Sequence, residues 1–321
     1  SSNILSVDAK YYYCSFIKQG DMYVYGNEKK ELQTIHPYNY PSNLDILSAT
    51  DLSQSASANC YVVSRKGLYK FRTVKGNSST SVGGVTSASI CWETFGTSSK
   101  PKLFDLISQF CYRDGYIVFQ TSDTFKEGNA VIAAKDSSGK ILWSWHIWFT
   151  DDPRGQEYYN NAGTMMDRNL GATSARPGDV GALGLLYQWG RKDPFLNSSA
   201  IESSTQAEST IIWPAVVSPD SKTGTIDYAT SNPTTYMTKC NLFDWQYSND
   251  NTRWQSTKTI YDPCPSGWQV PDGGENGVWS TALGSSEDIK DYSLYDTSNK
   301  GVNFSNKFGN ASNIWYPSAG C

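Results

Sequence analysis

The sequence predicts a mainly β protein of two domains, an antiparallel β-sandwich followed by an α+β domain. Three observations carry that reading. The chain has 321 residues, more than one hydrophobic core usually serves. Only 18% of residues are charged while 14% are aromatic, amid abundant Ser, Thr, Asn and Gly, a mixture that suits strands and turns. Between residues 58 and 150, short apolar runs recur at sandwich spacing, separated by Gly, Ser, Asp or Pro clusters.

Residues 1–57 form a polar, tyrosine-rich lead, either an edge hairpin belonging to the first domain or the remnant of an earlier one. YYYCSF and MYVYG alternate like strands, with residues 18–21 as the turn between them. The sandwich, 58–150, has expected strands at 60–63, 68–73, 88–95, 115–121, 129–136 and 140–149. The last is the strongest. Ile141, Trp143, Trp145, Ile147 and Phe149 share one face, and Leu142, Ser144, His146 and Trp148 the other. The tryptophan stripe is read as core in preference to a sugar platform.

Residues 151–161 (DDPRGQEYYNN) are polar, carry Pro and Gly, and are the expected linker. The second domain, 162–321, opens on a packing hub. Asp179 is a plausible N-cap for a helix whose stripe is Leu183, Leu186, Tyr187 and Gly190. Gly181 and Gly184 weaken that helix and imply close backbone approach to a neighbour. Residues 197–238 are Ser/Thr-rich and weakly patterned, an insertion. Residues 241–254 (NLFDWQYSNDNTRW) are a loop dense in aromatics and amides. A short helix holding Val278, Trp279 and Leu283 is expected after Asn276 or Gly277.

Two long motifs in the second half carry a resemblance. DRNLGA followed by GALGLLYQWGRKDPF, then YDPCPSGWQVP, resembles Bacteroidetes surface proteins that bear the Fibrobacter-type major paralogous domain at the C-termini of fimbrillin-like and pilus-tip proteins. NCYVVSRKGLYKF and EGNAVIAAKDSSGKILWSWHIWF resemble the β-sandwich segment that precedes it. The resemblance implies a C-type-lectin-like fold for 162–321. It implies an exported protein of the bacterial outer surface, in a pilus or fimbria. The family pattern runs on past the segment matching 314–321, so the domain is expected to be incomplete at its C-terminus. Cys264 would then bond Cys321 or lack its normal partner.

The charge balance excludes nucleic acid as a partner, because a formal −4 without a basic stripe cannot neutralise phosphates. No run of 18 apolar residues predicts a membrane span, and the start at Ser1 reads as a mature or trimmed N-terminus. Catalysis is not expected: the two histidines, His36 in a loop and His146 within a strand, lack a nucleophile-elbow context. Asp167, Asp193, Asp272 and Glu275 are weighed as calcium ligands, but caps and ion pairs around the hub are preferred, and no cofactor is expected.

Seven cysteines without a CxxC pair exclude zinc-ribbon and thioredoxin readings. Cys91 and Cys111 lie in strand-like apolar contexts about twenty residues apart. A bridge between them is expected, because the resembling proteins are expected to carry plain aliphatics at both places; it would stabilise by roughly 3 kcal/mol.

What remains is binding. Trp245, Tyr247, Asn249, Asn251, Trp254, Asn303, Asn306 and Asn310 combine rings that stack with amides that reach hydroxyls, in loop-like segments of little charge. The expected function is adhesion to a glycan or to a host or bacterial surface protein. A pilus subunit polymerising with other subunits by strand donation is the alternative, and an enzyme on a lectin-like scaffold is third.

Overall fold

The computed structural model describes residues 10–13, 16–19, 22–25, 30–33, 44–196, 207–238, 244–284, 295–304 and 314–318. The chain divides into two compact units, Ser1–Asn43 and Leu44–Cys321. In the first unit β1 (Lys10–Tyr13) pairs antiparallel with β4 (Lys30–Gln33), and β2 (Phe16–Gln19) with β3 (Met22–Tyr25). The expected hairpin is thus β2–β3, beginning at Phe16.

The second unit is mainly β. One sheet has the order β5 (Thr50–Asp51), β7 (Leu68–Arg72), β10 (Tyr116–Thr121), β9 (Ile107–Arg113). The other has the order β6 (Cys60–Val63), β12 (Ile141–Phe149), β11 (Gly128–Lys135), β8 (Ser87–Thr94). The β5–β7 and β6–β12 pairs are parallel and the rest antiparallel. Between the sheets Phe71 stacks on Tyr61 at 5.0 Å and meets Trp145 at 5.2 Å, with Phe119 at 6.2 Å. All four rings are buried. The six strands read from sequence are present; β5 and β9 are additional.

The outer face of β12 is buried as well, which an alternating apolar/polar strand does not announce. Trp148 Nε1 donates to the Ala172 carbonyl at 3.0 Å, and Asn129 Nδ2 to the Gly171 carbonyl at 2.9 Å. Trp92 and Val131 pack with Leu185 and Leu196. Residues after β12 therefore form a further layer on the second sheet. Residues 151–161, expected as a linker, lie inside this unit. Gly155–Tyr158 is β13, paired with β14 (Gly163–Met166), and Arg168 reaches back to Asp151 at 2.6 Å. Residues 44–49, expected in the lead, cover the outer side of the first sheet through Leu44, Ala49 and Val118.

The hub is shorter than its periodicity suggests. Asp179 does cap, accepting from the Gly181 N–H at 3.1 Å, but only a 3₁₀ turn, Val180–Ala182, follows. Gly184 takes φ +71°, and Leu185 N–H turns to the Leu170 carbonyl at 3.0 Å. A Cβ at Gly184 would stand 2.8 Å from that same carbonyl, so glycine permits the close approach. The chain continues as β15 (Leu186–Tyr187) paired with β16 (Pro194–Phe195). Beyond it lie α1 (Ile226–Ser231), α2 (Val278–Leu283, entered from Gly277) and a sheet of β17 (Tyr295–Asp296), β18 (Gly301–Asn303) and β19 (Trp315–Pro317).

The expected Cys91–Cys111 bridge is corrected. Both are free thiols, as are Cys60 and Cys264. Cys91 is on β8 and packs with Trp92 and Val131 under the added layer, whereas Cys111 is on β9 and packs with Leu44 and Val118 outside the other sheet. A β-bulge at Cys91 turns it to the same side as Trp92, so the two thiols lie on opposite outer sides of the sandwich. Cys321 lies outside the described residues.

Candidate functional site

The residues of the aromatic loop separate into a buried part and an exposed part. Trp245 is 3% exposed; it donates its indole N–H to the Trp189 carbonyl at 2.7 Å. Arg253 lies over its ring at 4.8 Å and Arg191 at 5.6 Å. Arg253 is itself buried, paired with Asp244 at 2.8 Å and hydrogen-bonded to Gln246. Buried guanidinium groups need such partners, because an uncompensated charge in the interior is costly. The ring of Trp245 is thus corrected from ligand contact to interior support of the loop.

Trp254 is half-buried and meets Trp189 edge to face at 5.1 Å, with its indole N–H on the Tyr261 carbonyl at 2.9 Å. Trp189 is 44% exposed and Tyr247 48% exposed. Asn249 and Asn251 are exposed on either side of Asp250, whose carboxylate accepts from the Thr252 N–H at 2.9 Å and the Thr252 hydroxyl at 2.5 Å. That local turn shapes the loop between the two amides, and its hydrogen bonds hold the Asp250 carboxyl below its ordinary pKa. Tyr247 N–H is fixed to the Gly224 carbonyl at 2.9 Å, just before α1, whose cap Thr225 accepts from Tyr228 N–H. Trp189 was not foreseen as a site residue. Its signal was present in the motif YQWG, where a tryptophan directly precedes a turn glycine, and Gly190 takes φ +68°.

Asn303 is not in this loop; it lies exposed on β18, opposite Trp315 of β19. Asn306 and Asn310 lie outside the described residues. Next to β18 opens a cleft of about 830 Å³, bounded by β14, Trp268, Pro271, Trp279, Val302 and Tyr316. Trp279 stacks on Phe304 at 5.5 Å, forming part of its wall. Trp315 is buried, whereas Tyr316 is half-buried on the cleft and donates its hydroxyl to the Met166 carbonyl.

His146, Lys192 and Asp193, the groups closest to catalytic chemistry, are fastened internally. His146 is buried, with Nε2 2.9 Å from Asn129 Oδ1 and Nδ1 3.4 Å from the Tyr187 hydroxyl. Burial lowers its pKa to about 3, so the ring is neutral. The amide oxygen can only accept, which puts the ring proton on Nε2. Lys192 Nζ contacts Asp193 at 2.6 Å and Ser144 Oγ at 2.7 Å, and the Ser144 hydroxyl donates to Asp193 at 2.5 Å. Lys192 and Asp193 are both buried, so this array pins the added layer to β12. Of the four acids weighed for calcium, Asp167 pairs with Arg168, Asp193 with Lys192, and Asp272 accepts from Ser256; Glu275 is exposed beside α2. Among the described residues no three His, Cys, Asp or Glu side chains gather as a metal site, and no helix is long and apolar enough to cross a membrane.

Comparison with family models, with characterised proteins and with solved structures yields no match.

Proposed function

We propose that the protein is an exported adhesin of the bacterial cell surface or pilus tip, and that it binds a neutral glycan or a protein epitope through the loop following α1. The observation that carries this reading is the Trp189–Trp254 pair, two indoles meeting edge to face at 5.1 Å with one ring 44% exposed. Isolated exposed apolar residues are ordinary, but adjacent indoles left at the surface mark a place where something is covered. Exposed Tyr247, Asn249 and Asn251 supply a further ring and amides from the same loop. The buried pairing of Arg253 with Asp244 keeps that charge off the surface, so a neutral partner meets little electrostatic penalty. Stacking on a sugar face or an aromatic epitope, with amides completing the hydrogen bonds, is the chemistry these groups offer. The lectin-like reading of 162–321 stands on the motif resemblance and belongs to this proposal. A screen of the full chain against arrayed neutral glycans and surface proteins tests it; no binder above background in either set would remove the reading.

A further inference from the structure

The edge of β14 that looks away from β13 suggests a second binding site, separate from the tryptophan pair. Asp167 N–H donates to the Arg154 carbonyl at 2.8 Å, which closes the β13–β14 ladder one residue beyond Met166. Antiparallel strands alternate between residues that bond across the ladder and residues that point away. Met166 is therefore of the outward kind, and its carbonyl does accept from the Tyr316 hydroxyl across the cleft. Thr164, two residues earlier, shares that orientation and is exposed. Among the described residues no backbone bond beyond the ladder engages Thr164 N–H, Thr164 C=O or Met166 N–H, a row of main-chain donors and acceptors on the cleft wall. The same cleft is lined by Val278, Trp279, Val302 and Tyr316.

From this juxtaposition we infer that the cleft takes an extended polypeptide segment of a partner protein as an added strand against β14. A strand edge is matched by another backbone, whose N–H and C=O groups repeat at the same interval. A sugar does not present that repeat. The four residues of β14 span roughly 13 Å at the usual rise, so the footprint is four to six residues of the partner. Side chains of an added strand alternate, so every second residue would face Trp279 and Val302 and should be apolar.

The test uses the full chain, panned against a library of random linear dodecapeptides, with enriched sequences remade as synthetic peptides. Each peptide is compared with a copy methylated at alternate backbone nitrogens, and with the variant Thr164→Pro. Proline at an outward-facing edge position removes only the donor offered to the cleft. The expected result is saturable binding that falls at least tenfold on N-methylation and on T164P, and that is unchanged in W254A. Should T164P not fold, the methylated peptides carry the same comparison. Failure to enrich any sequence over a protein-free surface would overturn the inference, as would equal binding of methylated peptides. Loss of peptide binding in W254A would show that the two sites are one.

Discussion

Asn129 of β11 accepts a 2.9 Å hydrogen bond from His146 of β12, while its amide donates to the Gly171 carbonyl at 2.9 Å. One side chain thus joins the sandwich to the layer laid over it, and burial keeps the donating imidazole neutral. In the unfolded chain the same histidine titrates near its ordinary value of 6.5, against about 3 in the fold.

A folded-state pKa below the unfolded one means that acid favours unfolding. The contribution is full above pH 6.5 and is lost as pH falls from there toward 3. It is on the order of a few kcal/mol, since each pKa unit of difference is about 1.4 kcal/mol. Melting temperature should therefore fall by several degrees between pH 7 and pH 5. His146→Gln should lower stability at pH 7 and flatten that part of the profile. An unchanged slope in the variant would assign the acid lability elsewhere.

Glu93 shows the opposite sign. Its carboxylate is buried beneath the loop before β9, with Oε2 accepting from Phe104 N–H at 2.8 Å and Oε1 from Ile107 N–H at 2.9 Å. Desolvation outweighs those donors and raises the pKa from 4.5 to about 7. The proton is held more tightly in the fold, so this contribution is full below pH 4.5 and is lost as pH rises through 7. The melting temperature of wild type should fall relative to that of Glu93→Gln from pH 5 to pH 8. A rise of wild type relative to the variant over that range would mean that the backbone donors dominate instead.

Cys91 and Cys111 should both react as thiols. Alkylation of the denatured, unreduced protein followed by peptide mapping should find each labelled. Replacing the two together should cost no more than the sum of the single replacements, because they pack on outer faces of different sheets. A crosslinked peptide containing both would contradict the sheet assignment.

Much of the sandwich was readable because its strands obey a simple rule, two apolar faces alternating at period 2, and Lys140–Phe149 announced β12 almost residue for residue. The burial of the second face was not readable. Ser144 and His146 look like solvent-facing residues until Asp193, Asn129 and Tyr187 are brought to them by contacts at sequence separations of 17 to 49. The hub failed for a local reason: Leu183, Leu186 and Tyr187 fit a helical stripe, yet Gly184 leaves the helical region and Leu185 bonds to Leu170 instead. In the candidate site the loop was legible and the roles within it were not. Trp245 and Trp254 occupy similar sequence contexts, and what separates them is the pair of arginines, Arg191 and Arg253, that enclose the former. The YQWG motif marks Trp189, but its partner Trp254 is brought to it only by the fold.

The different burial of Trp245 and of the Trp189–Trp254 pair separates binding from stability. Binding to the array hits and melting temperature should be read side by side for wild type, W189A, W254A and W245A. Trp245→Ala removes a buried ring between two guanidinium groups and should cost about 3–5 kcal/mol of stability. W189A and W254A should weaken binding at least tenfold while the melting temperature stays within about 2 °C of wild type, since truncating a surface ring disturbs little of the core. Full binding by W189A and W254A, or a fall of several degrees in their melting temperatures with binding retained, would show that the indole pair is structural and would contradict the proposed binding site.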